Sequence, residues 1–203
     1  MPEVMRLLEV LRSDTREQHE ALHTHPLLTG LSDSSLTLSD FHHILLAFEA
    51  YYSHAEAACQ TGFPEDVPNA PVLNWLDSDL AQQAVKSWAN RLTFKHAPID
   101  TPSKLAGYLY TKQGSTLGGH VISKHLERQL GLIPRIDQWF FAGYGPHNGA
   151  QWKLFVDILE RHNEAFCYDE VVLSARQSFE SITWFCDAVA TLKKMPIEVA
   201  HEA

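Results

Sequence analysis

Val4, Leu7, Leu8, Leu11, Thr15, Gln18 and Leu22 recur at intervals of three and four residues, as one face of a helix requires, and predict a first helix from about Glu3 to His23, closed near Pro26. Ser39 reads as the cap of a second helix, whose face runs Phe41, Ile44, Leu45, Phe48, Tyr52, Ala55 and Cys59. The breaker-rich run from Gly62 to Pro71 is a loop. Helical spacing resumes from Val72 to about Leu92, with an interruption expected near Asp77 and Ser78, and a turn region spans His96 to Pro102. Thr101 and Pro102 then fit the N-cap and first residue of a helix running to Leu130, with Gly131 and Pro134 beyond its end. At 1.5 Å per residue this element would be roughly 40 Å long, enough to wall a whole domain.

After a loop around Phe141 to His147, two more helices are expected, about Gly149 to Phe166 and Asp169 to Lys193. Phe41, Phe48, Phe155, Phe179 and Phe185 sit at core spacing. No run alternates as a strand does and no segment repeats, so the pattern predicts an all-α, single-domain helical bundle over residues 1–195, with a frayed tail at 196–203.

Composition narrows the class. The chain has 203 residues, 45% of them hydrophobic and 20% charged, which suits one soluble domain and excludes disorder. A formal charge of −9 argues against nucleic-acid or membrane-surface binding, since those surfaces recruit clustered Lys and Arg. Three well-separated cysteines, no signal-peptide pattern and no long apolar run point to a cytoplasmic protein without a disulfide framework.

The chemistry concentrates in two places. Gly114-Ser-Thr-Leu-Gly-Gly119 puts three glycines inside the longest predicted helix, where each costs roughly 0.5–1 kcal/mol against alanine. His19-Glu-Ala-Leu-His23 matches H-E-x-x-H, the zinc-hydrolase pattern of two imidazoles one turn apart with a glutamate between. Only 18 residues precede that motif, and no strand follows to hold a substrate backbone. Glu20 and His23 also match half of a di-iron bundle site, but the only other Glu-x-x-His, Glu198 to His201, falls in the tail after Pro196, and such a site needs two further carboxylates on facing helices. A flat ligand between two helices would use both features, because glycine lets a ring lie close to the backbone. Haem is such a ligand, its iron taking an imidazole on one face.

Leu11-Arg-Ser-Asp-Thr-Arg-Glu-Gln-His19, the glycine block at 114–119, and Phe140-Phe-Ala-Gly-Tyr-Gly145 followed by Trp152 resemble, in order and separation, the biliverdin-producing haem oxygenases. The likeness is to the bacterial kind found beside phytochromes and spans roughly Leu7 to Ala190. It implies an enzyme whose haem is both substrate and cofactor, opened with O2 and an external electron donor, a reductase or ferredoxin, to biliverdin, CO and ferrous iron. The resemblance also implies a phytochrome as a recipient of the biliverdin. By position, the resemblance makes His19 the iron ligand, and Gly114, Ser115, Gly118 and Gly119 the catalytic wall over the other haem face. Arg12 and Lys153 fall where the family keeps cations for the propionates, and Tyr110 is a helper.

Some positions depart from the family. Ser115 stands where animal enzymes carry an aspartate, and Asp157 where a second propionate cation is usual, leaving Lys112 and Lys104 as candidates for that contact. His120 raises the alternative of a second axial ligand and is expected to point away; His23 is the rival to His19. A non-catalytic haem carrier or sensor of the same fold is the competing function, with zinc hydrolysis through HEALH behind it.

Overall fold

The computed structural model describes residues 6–193, in seven helices: α1 (Leu7–Asp14), α2 (Arg16–His23), α3 (Leu38–Ala58), α4 (Val72–Gln82), α5 (Pro102–Leu130), α6 (Asn148–Arg161) and α7 (Tyr168–Leu192). Among these residues no strand forms, and only isolated bridges such as Cys59 with Ile99 occur. The first turn expected at Glu3 and the tail beyond Met195 lie outside the described residues.

α5 matches its expected limits. The Thr101 hydroxyl accepts the Lys104 N–H at 3.1 Å, Pro102 opens the first turn, and Gly131 ends the helix at φ 70°. Its 29 residues span about 43 Å. Against it lies α7, and the two approach to backbone distance: a Cβ on Gly107 would sit 2.2 Å from the Val171 carbonyl oxygen. α3 packs on α7 and α4, α6 packs on α5, and α2 rides on α7. The fully buried Phe41, Ile44, Leu45, Tyr51, Tyr108 and Phe185 fill the space between them.

Elsewhere the structure differs from the periodicity in explicable ways. The single first helix is two, broken at Thr15 (φ −108°, ψ 6°), where the Thr15 N–H and hydroxyl both bond the Leu11 carbonyl, at 3.0 and 2.7 Å. Such back-bonding bends a helix. α3 is capped at Thr37, two residues before the expected cap Ser39, because Thr37 and Asp40 form a reciprocal capping box. α4 runs unbroken through Asp77 and Ser78, and the Ser78 hydroxyl returns to the Asn74 carbonyl at 2.8 Å. The break comes at Ala84, whose φ is 52°. After α6 the chain turns through a short 3-10 segment, Asn163–Ala165. All three cysteines are free, and no helix among the described residues is long and apolar enough to cross a membrane.

Candidate functional site

Thr15, His19 and His23 form one stripe, a turn apart on each step, along the break and α2. α2 buries none of its residues, so His19 and His23 are exposed. The His19 ring meets Phe179 of α7 edge-on at 5.7 Å and His23 at 4.7 Å. Partial burial against this aromatic backing, then the neighbouring His23, lowers the His19 pKa, so the imidazole is neutral and its lone pair is available near pH 7. His25, next along, is engaged: its Nδ1 accepts the Leu27 N–H at 3.1 Å and its Nε2 meets Asp187 at 3.1 Å.

On α5, Tyr110, Gly114 and Gly118 form a second stripe at four-residue spacing. The stripes start together, with the half-buried Tyr110 hydroxyl turned toward Thr15 and close to Arg12 of α1. The three glycines of the motif do not share one surrounding. A Cβ on Gly118 would meet nothing within 4 Å, and one on Gly114 would meet only the Trp152 ring, at 3.7 Å. A Cβ on Gly119 would lie 2.7 Å from the Phe141 carbonyl oxygen, so Gly119 faces the loop after α5 and lets it approach. Next to Gly118, Leu117 and Val121 are exposed, Val121 by 71%. A neutral accessible imidazole on one stripe, with a Cβ-free opening flanked by apolar side chains on the other, fits a flat, largely apolar ring.

The loop that Gly119 receives is held from α4. Asp79, fully buried, accepts the Trp139 and Phe140 N–H groups at 2.5 and 2.9 Å. Burial pushes its carboxyl up to about 7, against the pull of those two donors. Gly143, at φ 57°, then turns the chain where a Cβ would strike the Asn148 side chain.

Behind the glycine stripe lies a polar network. Ser115 donates to the Lys112 carbonyl at 2.7 Å and lies 3.2 Å from the Tyr52 hydroxyl of α3. The Lys112 ammonium reaches Glu56 at 2.5 Å and Asn69 at 2.6 Å, and Tyr108 donates to the same Glu56 oxygen at 2.7 Å. Lys112 is therefore buried and committed, which removes it as a propionate contact. Lys104 is likewise paired, with Asp100 at 2.6 Å, at the far end of α5. Arg12 and Lys153 are exposed, on α1 and on α6 beside the half-buried Trp152, and Asp157 is exposed one turn further on. His120, two residues from Gly118, falls about 200° around the helix, away from the opening.

Tyr52, Glu56, Tyr108 and Phe179 were not singled out by their sequence context. The one available signal was that the Tyr52 hydroxyl, on a face expected to be buried, needed a polar partner. A recess lined by Phe63, Pro64, Asn69, Tyr144 and Leu154 contains none of the expected site residues.

With this geometry in view, the family model described as Heme oxygenase matches residues 5–186. A solved haem oxygenase from Neisseria meningitidis, studied with NO and CO bound, superposes with a TM-score of 0.71 at 19% identity, covering 98% of each chain. A haem oxygenase structure from Leptospira interrogans gives 0.66 at 18% identity, over 91% of this chain and all of that one, 100%. No curated protein sequence matches.

Proposed function

The chain belongs to the haem oxygenase family and is a haem-degrading enzyme; from that premise, we propose that haem is opened between the His19 stripe and the glycine stripe, yielding biliverdin, CO and ferrous iron. What supports this reading is an exposed imidazole with a lowered pKa on α2, an opening at Gly118 that no side chain fills on α5, and the Tyr110 and Thr15 side chains that bring the starts of the two stripes together. O2 and an external donor, a reductase or ferredoxin, complete the stoichiometry, and a phytochrome is a fitting recipient of the product.

The bound haem supplies the iron at which dioxygen is reduced; this chain's residues supply the rest. His19 would hold the iron through its imidazole, and Phe179, edge-on to that ring, limits its rotation. Gly114 and Gly118, which carry no side chain, would let the α5 backbone form the other wall of the haem site. Gly119 supports that wall by admitting the loop carbonyl. Ser115 has already given its hydrogen to the Lys112 carbonyl, so Tyr52 is the donor of the pair and holds Ser115 in place, and the lone pairs left on the two hydroxyls would accept from, and so orient, a water beside the glycine face. The exposed Arg12 and Lys153 would meet the propionates, and Tyr110 beside Arg12 fixes the corner where the stripes join.

Hemin added to the purified chain tests the reading. A haem absorption band that decays under ascorbate or a reductase while a biliverdin band grows is expected. A haem band that persists under reductant would instead identify a carrier or sensor. His19→Ala should stop turnover, with added imidazole partly restoring it. Unchanged turnover in that variant would remove His19 as the ligand.

A further inference from the structure

His19 and His23 are the only pair among the twelve histidines spaced one helical turn apart. Their ring centroids lie 4.7 Å apart with the planes at 75°. Two imidazoles bound at about 2.0–2.1 Å to one first-row cation have centroids roughly 4.5 Å apart at a right-angled centre and roughly 5.1 Å apart at a tetrahedral one. The observed separation falls between these limits without any movement of the helix.

Both rings are exposed, so a cation reaches them from solvent. No group of three or more His, Cys, Asp or Glu able to hold a metal occurs among the described residues. Glu20, the nearest carboxylate in sequence, is engaged by Arg16 at 2.7 Å. Two protein ligands with water completing the shell make a weak, exchangeable site, unlike a structural zinc site closed by four.

We propose that His19 and His23 form a bidentate site for a divalent first-row cation in the haem-free chain, and that this pair briefly holds the ferrous iron left at His19 when the ring opens. The second half rests on the reading of His19 as the haem ligand; the first does not. Binding exchanges two water ligands for two imidazole nitrogens, with no change of oxidation state. The open coordination positions then let the iron leave to solvent or an acceptor. Occupancy by a foreign cation would also block haem, because both compete for the same nitrogen.

Metal-stripped, haem-free protein is titrated with Ni2+ by calorimetry, which the Irving–Williams order makes a tighter probe than ferrous iron. Wild type should bind one equivalent, and His19→Ala and His23→Ala should each weaken binding at least about tenfold. Ni2+ binding unchanged in His23→Ala overturns the site. Hemin titration of the same proteins separates this from the parent reading: His23→Ala should keep the spectrum of histidine-bound haem, and His19→Ala should lose it. If His19→Ala keeps that spectrum, the haem reading and the iron-holding half fall together, while the Ni2+ result still decides the site. During turnover with a chromogenic ferrous chelator, iron should appear sooner relative to biliverdin in His23→Ala; equal timing overturns the iron-holding half.

Discussion

The Tyr52 hydroxyl lies 3.2 Å from the Ser115 hydroxyl, joining α3 to the glycine stretch of α5, and Ser115 spends its own hydrogen on the Lys112 carbonyl at 2.7 Å. Burial raises the Tyr52 pKa far above its ordinary value, so this phenol stays protonated at any pH the fold experiences. Tyr52→Phe removes one donor and leaves Ser115 still bonded. Hemin affinity should change little, while the single-turnover rate of biliverdin formation falls by about tenfold or more. Ser115→Ala also strands the buried Tyr52 hydroxyl, which costs about 1–3 kcal/mol, and should lower the melting temperature as well as the rate.

Lys112 and Glu56 form a more deeply buried ion pair than Lys193–Asp40, Lys104–Asp100 or Arg16–Glu20. The Lys112 side chain is only 2% exposed, and burial lowers its pKa, opposed by the Glu56 carboxylate. Glu56→Ala would leave a buried ammonium with Asn69 as its main remaining polar partner and should destabilise the chain by roughly 3–5 kcal/mol. The double replacement Lys112→Met with Glu56→Leu should recover most of that loss, since no charge is left to desolvate. Thermal melting of the two variants compares them, and a double variant no more stable than Glu56→Ala would contradict the desolvation account.

Much of this was legible in the chain. α5 had a cap, a first-turn proline and a terminal glycine, each a local device, so its limits could be read without knowing its neighbours. The stripe from Thr15 to His23 was equally visible, but its break was not, because a threonine hydroxyl returning to Leu11 competes with the helix by a margin periodicity does not register. The glycine block announced itself by its cost. What could not be read was that Gly118 opens on empty space while Gly119 is pressed against Phe141, since that depends on where a distant loop, held by Asp79, comes to rest. Lys112 looked like a free cation for the same reason: its partners Glu56 and Asn69 are far away in sequence.

Asp79 gives the protein a pH signature. Burial raises its pKa from 3.8 to about 7, so the folded state holds the proton more tightly than the unfolded state does. The stabilisation from that linkage is fully present below about pH 4 and is lost as the pH rises through about 7. Asp79→Asn cannot titrate, and its amide leaves one loop N–H poorly met, so it should be less stable than wild type at low pH. The difference in melting temperature between the two should shrink from pH 4 to pH 8. A difference that grows over this range would mean that the Trp139 and Phe140 donors outweigh burial.

Three glycines of α5 should respond to alanine in opposite directions. At Gly118 a Cβ enters open space, so Gly118→Ala should stabilise the haem-free chain by roughly 0.5–1 kcal/mol through helix propensity alone. At Gly107 it would meet the Val171 carbonyl at 2.2 Å, and at Gly119 the Phe141 carbonyl at 2.7 Å; both neighbours are backbone and yield little. Gly107→Ala and Gly119→Ala should therefore destabilise by about 1–3 kcal/mol or more. Function separates the three again. Gly118 is exposed and its Cβ position is open, so Gly118→Leu should keep its melting temperature yet, by entering the opening, lose hemin affinity by at least about tenfold. A helix glycine whose replacement spares the fold and costs the ligand is there for the ligand. Hemin titration of Gly118→Leu beside its melting curve decides whether that describes Gly118.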